Sequence, residues 1–356
     1  MRKSKRFAAI ALIASLGLVA AACGDDEEKS DGTAAETTGD TTPECVDADA
    51  ALKVGLAFDT GGRGDGTFND SAGRGADKAT CELGATVDEL EAATADDRQP
   101  NLETLSGNGD NPIIAVGFAF GDGLQAVATA NPDTSYAIVD GFIADAAPNI
   151  TFLGFAEHEG SFLVGAAAAL KSESGKIGFI GGQEIDLIKK FEAGYTAGAK
   201  YVNPDISVEV QYLGAAGDDT AWGSPDEAKQ IANGWYADGV DVIYTAAGGS
   251  GQGTIEAAVE SDAWAIGVDS DQYLTASAEQ QAHILTSMLK RVDVAVYETI
   301  KAFKDGMLAG GFATYDLKVD GVGYSTSGGY LDDVVTQLEE IKAAIIAGEI
   351  EVPTAP

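Results

Sequence analysis

Short apolar runs alternate with segments of helical period along most of this chain. Apolar runs at Lys53–Asp59, Ala85–Glu91, Pro112–Gly117, Ser135–Asp140 and Ile150–Phe155 are predicted strands. Between them, Asn101–Gly107 and Gly121–Ala130 have the spacing of helices. The pattern then restarts. Glu159–Lys171 is a helix of small residues, and Lys176–Gly181, Ser207–Leu213, Asp241–Ala246 and Ala263–Asp269 are further strands. Ile185–Tyr201, Pro225–Asp238 and Gly253–Ser261 are the helices among them. From His283 to Lys304, apolar residues at 284, 288, 292, 295, 296 and 300 fall on one helical face, which predicts one long helix. A β-like stretch at Gly311–Val322 and an amphipathic helix at Leu331–Ala347 close the chain.

Strand–helix alternation of this kind builds parallel, doubly wound α/β sheets. Two successive series of similar length predict two similar lobes. Their expected extents are 47–155 plus about 271–310, and 156–270 plus about 311–350. A late return of the chain to the first lobe gives about three crossovers, which form a hinge. Ligands of open α/β sheets bind at the carboxyl ends of the strands, so the cleft between the lobes is the expected site.

Residues 1–22 form a different kind of segment. A basic start, MRKSKR, precedes an apolar core too short to span a bilayer, then Ala21-Ala22-Cys23. This resembles a bacterial lipoprotein signal in which Cys23 becomes the lipidated first residue; ordinary cleavage leaving Cys23 free is the alternative. Residues 23–46 then supply the lipidated cysteine and an acidic tether with almost no large apolar residue. The expected location is the extracytoplasmic face of the cell membrane. In that oxidising setting Cys45 and Cys81 either pair as a disulfide or stay as two free thiols.

Charge narrows the function. Fifty-seven acidic residues against 22 basic ones give a net charge of −35, which repels nucleic acid and anionic membrane surfaces. Two histidines, His158 and His283, and no CxxC leave a zinc or catalytic-cysteine site without support. The run from Gly248 to Gly253 has neither the dinucleotide-binding nor the P-loop spacing, and there is no GxSxG. No cofactor, no metal and no catalytic residue is expected, and a monomer is expected. Strands instead end in polar groups, with Asp59, Asp140 and Asp269 closing three of them. Such acids are often turn residues, but together they suit a neutral, hydroxyl-bearing ligand. Phe68, Phe118 and Trp222 sit in loop-like settings where an aromatic ring can face a cleft. Lys290 reads equally well as a solvent-exposed helix residue.

Six segments then carry a resemblance: FDTGGRGDGTFNDSAGRGADKA from Phe58, IIAVGFAFGDGLQAVA, FAEHEGSFLVGAAAAL, GKIGFIGG, IGVDSDQ and LTSMLKRVDVAVYETIK. In this order they resemble the basic membrane protein family of bacterial lipoproteins, the substrate-binding proteins of ABC importers. The resemblance implies a periplasmic-binding-protein type I fold of two Rossmann-like lobes, no enzymatic activity, an ABC permease as partner, and a nucleoside ligand, mainly a purine nucleoside. Asp59 matches the family's strand-end acid. Phe68 would stack on one face of the base and Trp222 on the other, with Asn69 and Asp65 bonding its edge. Asp269 and Lys290 would hold the ribose hydroxyls and Gly248 would lend backbone. Asp140 and Phe118 are carried over with them. The glycines of the first loop are expected to form a flexible platform for Asp65, Phe68 and Asn69. The alternatives are a receptor for a free sugar on the same fold, a secreted nucleoside hydrolase, and a lipoprotein of purely structural role.

Overall fold

The computed structural model describes residues 45–356. The expected signal, Cys23 and most of the tether lie outside them. The first series runs β1 (Lys53–Phe58), α1 (Phe68–Leu83), β2 (Thr86–Glu91), α2 (Arg98–Gly107), β3 (Ile113–Val116), α3 (Gly121–Ala130), β4 (Tyr136–Val139) and β5 (Ile150–Phe155). The second runs α4 (Glu157–Lys171), β6 (Lys176–Gln183), α5 (Asp186–Val202), β7 (Ser207–Gly214), α6 (Pro225–Ala237), β8 (Val242–Ala246), α7 (Gly251–Ser261), β9 (Trp264–Asp269), a short α8 (Ala278–Gln281) and β10 (Ile284–Lys290). Then follow α9 (Val292–Lys304), β11 (Gly311–Tyr315), β12 (Val322–Tyr324) and α10 (Val335–Ile346).

Two six-stranded sheets result, ordered β11-β5-β4-β3-β1-β2 and β12-β10-β9-β8-β6-β7. Every pair is parallel except β10 with β12. The inner strands β3, β4 and β8 are buried along their whole length, because helices cover both faces. Apart from Lys176 at the start of β6, the exposed strand positions lie on the edge strands β2, β7 and β11.

One element differs in kind from the sequence expectation. His283–Lys304 is not a single helix: residues 284–290 form β10, and α9 begins only at Val292. In ILTSMLK nearly every side chain is buried, on both faces of the strand. Its apolar residues therefore recur at spacings that fit either period. The difference moves the lobe boundaries. β10 lies in the second sheet between β9 and β12, whereas β11 pairs with β5 in the first. The first lobe is thus completed by residues 292–315, not 271–310, and the second extends from α4 through β10 and resumes at β12. The chain crosses between lobes after β5, after β10 and after β11, which gives the three expected crossovers.

Helix α9 returns to the first lobe by packing along α1, where Tyr297 donates to Glu82 (2.8 Å) and Lys304 to the Leu83 carbonyl (2.7 Å). In the second lobe α4 and α5 cross with backbones nearly touching. A Cβ on Gly165 would sit 2.1 Å from the Tyr195 carbonyl oxygen, so only glycine permits that approach. Cys45 and Cys81 form a disulfide that ties the start of the described chain to α1. This is the paired alternative of the two open in the sequence.

Candidate functional site

The carboxyl ends of both sheets face one cleft, part of it open to solvent. All ten sequence-selected residues line it: Asp59, Asp65, Phe68, Asn69, Phe118, Asp140, Trp222, Gly248, Asp269 and Lys290. Strand order arranges them. On the first lobe Asp140 follows β4, Phe118 follows β3 and Asp59 follows β1. On the second, Lys290 ends β10, Asp269 ends β9, and Gly248 follows β8.

At the β4/β10 side a buried ammonium is surrounded by carboxylates. Lys290 is 2% exposed, so the solvent-exposed reading does not hold. It stands at the end of a strand, and its Nζ lies 2.6 Å from Asp140 Oδ2 of the other lobe and 3.3 Å from Glu157 Oε1. The rings of Phe155, Phe68 and Phe191 lie 5.1, 5.4 and 5.4 Å from the same nitrogen. Burial works to lower its pKa, but the carboxylates of Asp140, Glu157 and Asp269 outweigh that and raise it. Asp140 is pushed up by burial against the pull of Lys290. Asp269 is pushed by burial from 3.8 to about 7, opposed by Lys290 and reinforced by neighbouring acids. Asp140 and Asp269 occupy matching positions in their lobes, each ending the fourth strand, and both hold φ at 64°. Asp tolerates that left-handed region better than most residues, and the strain orients both carboxylates at the cleft.

At the β1/β6 side the lining turns aromatic. Phe118 and Trp222, from opposite lobes, meet edge to face with centroids 6.3 Å apart. Trp222 ends a short turn, Asp219–Trp222, in which the Thr220 amide donates to Asp218 Oδ1 (3.1 Å). Its ring lies on the backbone of Gly182, where a Cβ would come 2.2 Å from Cζ3. Nearby, Arg98 donates to Asp59 (2.7 Å) and to Asp219 (2.6 Å). Burial raises the Asp59 pKa in spite of that guanidinium.

The first loop is pinned, not flexible. Asp65 accepts from the backbone amides of Thr67 (2.8 Å), Asn69 (2.8 Å) and Asp70 (3.1 Å), which caps α1. Asp70 in turn accepts from Gly64 (2.7 Å) and Gly66 (2.9 Å). Asp65 therefore shapes the loop that presents Phe68 and Asn69, and three of its acceptor positions are taken by the helix it caps.

Sequence reasoning did not select Leu187, Ile188 and Phe191 of α5, which also line the cleft. Their periodic spacing reads as ordinary helix core. Glu157 and Arg98 were missed as well. With 57 acids to 22 bases, any base near the strand ends is a candidate for pairing, and that signal points to Arg98. Among the described residues no group of three or more His, Cys, Asp or Glu side chains has the arrangement to hold a metal.

Residues 52–355 match the family model of PnrA-like ABC transporter substrate-binding proteins. The chain belongs to this family. A PnrA-like protein is the solute-binding component of an ABC transporter, with an ABC permease as its partner, and is not an enzyme. Among relatives, the ABC transporter nucleoside-binding protein BmpA of Lactococcus lactis is 34% identical, over 98% of this chain and 99% of the relative. Basic membrane protein A of Borreliella burgdorferi is 35% identical, over 85% and 88%. A CD4+ T-cell-stimulating antigen of Listeria monocytogenes is 35% identical, over 99% and 100%. Of solved structures, an ABC transporter solute-binding protein from Aeropyrum pernix superposes with a TM-score of 0.72 at 31% identity, covering 85% of this PnrA-like chain and 93% of that one. A myo-inositol-binding protein from Caulobacter, at 14% identity and a TM-score of 0.58, shares the periplasmic-binding-protein type I fold.

Proposed function

We propose that this PnrA-like protein is a lipid-anchored extracytoplasmic receptor that captures a nucleoside, a purine nucleoside in particular, and delivers it to its permease. The observation that carries the reading is the division of one cleft into an aromatic side and an ionic side. Phe118 and Trp222 offer ring surface to a flat base, with the Phe68 ring bordering the ionic side 5.4 Å from Lys290 Nζ, and base–aromatic stacking contributes about 1–3 kcal/mol per base. Asp140, Asp269 and Lys290 offer acceptors and a donor to sugar hydroxyls. A free sugar does not require aromatic rings from both lobes, and a free base lacks the hydroxyls that the ionic side suits. The Lactococcus relative's description as nucleoside-binding supports the same ligand class. The anchor is Cys23, and the acidic stretch after it is the tether.

Capture is by closure. The lobes share three crossovers, and a ligand touching both selects the closed arrangement over the open one. The permease reads that closed form. A thermal-shift panel of inosine, adenosine, guanosine, free purines and ribose tests the assignment. Stabilisation by a purine nucleoside, lost in Asp269→Ala and Phe68→Ala, is expected. A response to ribose without any response to a nucleoside would replace it with a sugar receptor.

A further inference from the structure

We propose that Arg98 is a positioning residue that latches the two lobes over the bound ligand, through Asp219. Arg98 opens α2 in the first lobe, and neither it nor Asp219 lines the cleft. Its Nε donates to Asp59 Oδ1 (2.7 Å), a cleft-lining carboxylate of its own lobe. Its Nη2 donates to Asp219 Oδ2 (2.6 Å), in the turn of the second lobe that also carries Trp222. The Arg98 side chain is 12% exposed, so this ion triplet is largely shielded from water and salt.

Both ends are held independently. Asp97, next to Arg98, accepts from the amide (2.8 Å) and hydroxyl (3.0 Å) of Thr94 and fixes the turn into α2. Asp219 Oδ1 accepts from Gln183 Nε2 (3.0 Å), and Gln183 Oε1 accepts from the Gly217 amide (2.9 Å). When the lobes part, Arg98 keeps Asp59 and Asp219 keeps Gln183. Of the bonds these two residues make, only the one between Arg98 and Asp219 is broken, so neither of them is left without a partner. The bond is therefore a reversible two-state contact, made in the closed form alone. It crosses the cleft at the β1/β6 side, while Lys290–Asp140 crosses at the β4/β10 side, near two of the crossovers. The hinge side is tied by its own ion pair, and the Arg98 latch closes the free side, over Trp222 and Phe118.

The inference rests on ligand capture between the lobes and uses the nucleoside reading only for its probe. Spin labels on the outer faces of α2 and α6 report the interlobe distance with and without inosine. Arg98→Gln and Asp219→Asn are each expected to shift the distribution to longer distances, and the double variant no further than either. Stopped-flow release of inosine is expected to quicken about tenfold in each single variant with the association rate nearly unchanged, as for loss of one hydrogen bond between charged groups. Arg98→Lys, which keeps the charge, is expected to recover part of the loss. A residue that merely stabilised its lobe would lower the melting temperature without moving the distance. Distributions identical to wild type in all variants overturn the latch, whether or not inosine binds. Failure of inosine to bind with the distances still shifted would reject the nucleoside and leave the latch standing.

Discussion

Asp269 makes the most quantitative test of the cleft's ionic side. Burial pushes its carboxyl to about 7, whereas the unfolded chain releases that proton near the ordinary 3.8. Between those values the folded state binds more protons than the unfolded one, so this group's contribution to stability falls as pH rises. The slope approaches about 1.4 kcal/mol per pH unit inside the window and vanishes above it. From pH 5 to pH 8 the loss amounts to roughly 2–3 kcal/mol. Asp269→Asn abolishes it. Urea unfolding of both proteins without ligand, at pH 5, 6, 7 and 8, should therefore show wild type losing that much relative to the variant. Ligand affinity runs the other way. Accepting two sugar hydroxyls calls for the ionised form, which is roughly a tenth of the population at pH 6 and nine tenths at pH 8. Calorimetric titration with inosine should tighten about tenfold over that range in wild type and stay flat, and weak, in Asp269→Asn. Parallel stability curves for the two proteins across all four pH values would refute the burial argument.

Three further outcomes follow from the geometry. Lys290→Met leaves Asp140 buried without its cation, while Glu157 keeps Lys190 (3.4 Å), and should cost about 3–5 kcal/mol of stability at pH 8, less at pH 5, where Asp140, raised by burial to about 6, takes up a proton; urea unfolding at the two pH values checks it. Gly182→Ala drives a methyl into the Trp222 ring. An overpacking cost of about 1–3 kcal/mol should appear as nucleoside affinity weakened tenfold or more, with the fold retained by circular dichroism. Replacing both Cys45 and Cys81 by Ser opens a link spanning 36 residues and should lower stability by about 4 kcal/mol, read as a shift of the urea midpoint, with ligand affinity unchanged.

Much of the architecture was legible because parallel strands covered on both faces read as unbroken apolar runs, as at Ile113–Val116 and Val242–Ala246. The same property hid β10. A strand buried on both faces has no polar alternation, and in ILTSMLK the apolar residues fell into register with the true helix that follows. One misread element then sent β10 and β11 to the wrong lobes. For the cleft, polar residues at strand ends are a positional signal, so Asp59, Asp140 and Asp269 were readable. Phe191 was not, since an aromatic on a helix gives no sign of whether it meets core or ligand. Asp65 was located, but its engagement with three backbone amides is a matter of loop geometry that composition does not reveal.

The central claim is that a base stacks on Trp222 while its sugar reaches the carboxylates. Tryptophan emission under inosine titration tests it most directly, with Trp222→Phe as the control for Trp235 and Trp264. Saturable quenching by inosine that disappears in Trp222→Phe, with no response to ribose, is the predicted result. A saturable change with ribose and none with inosine would contradict it.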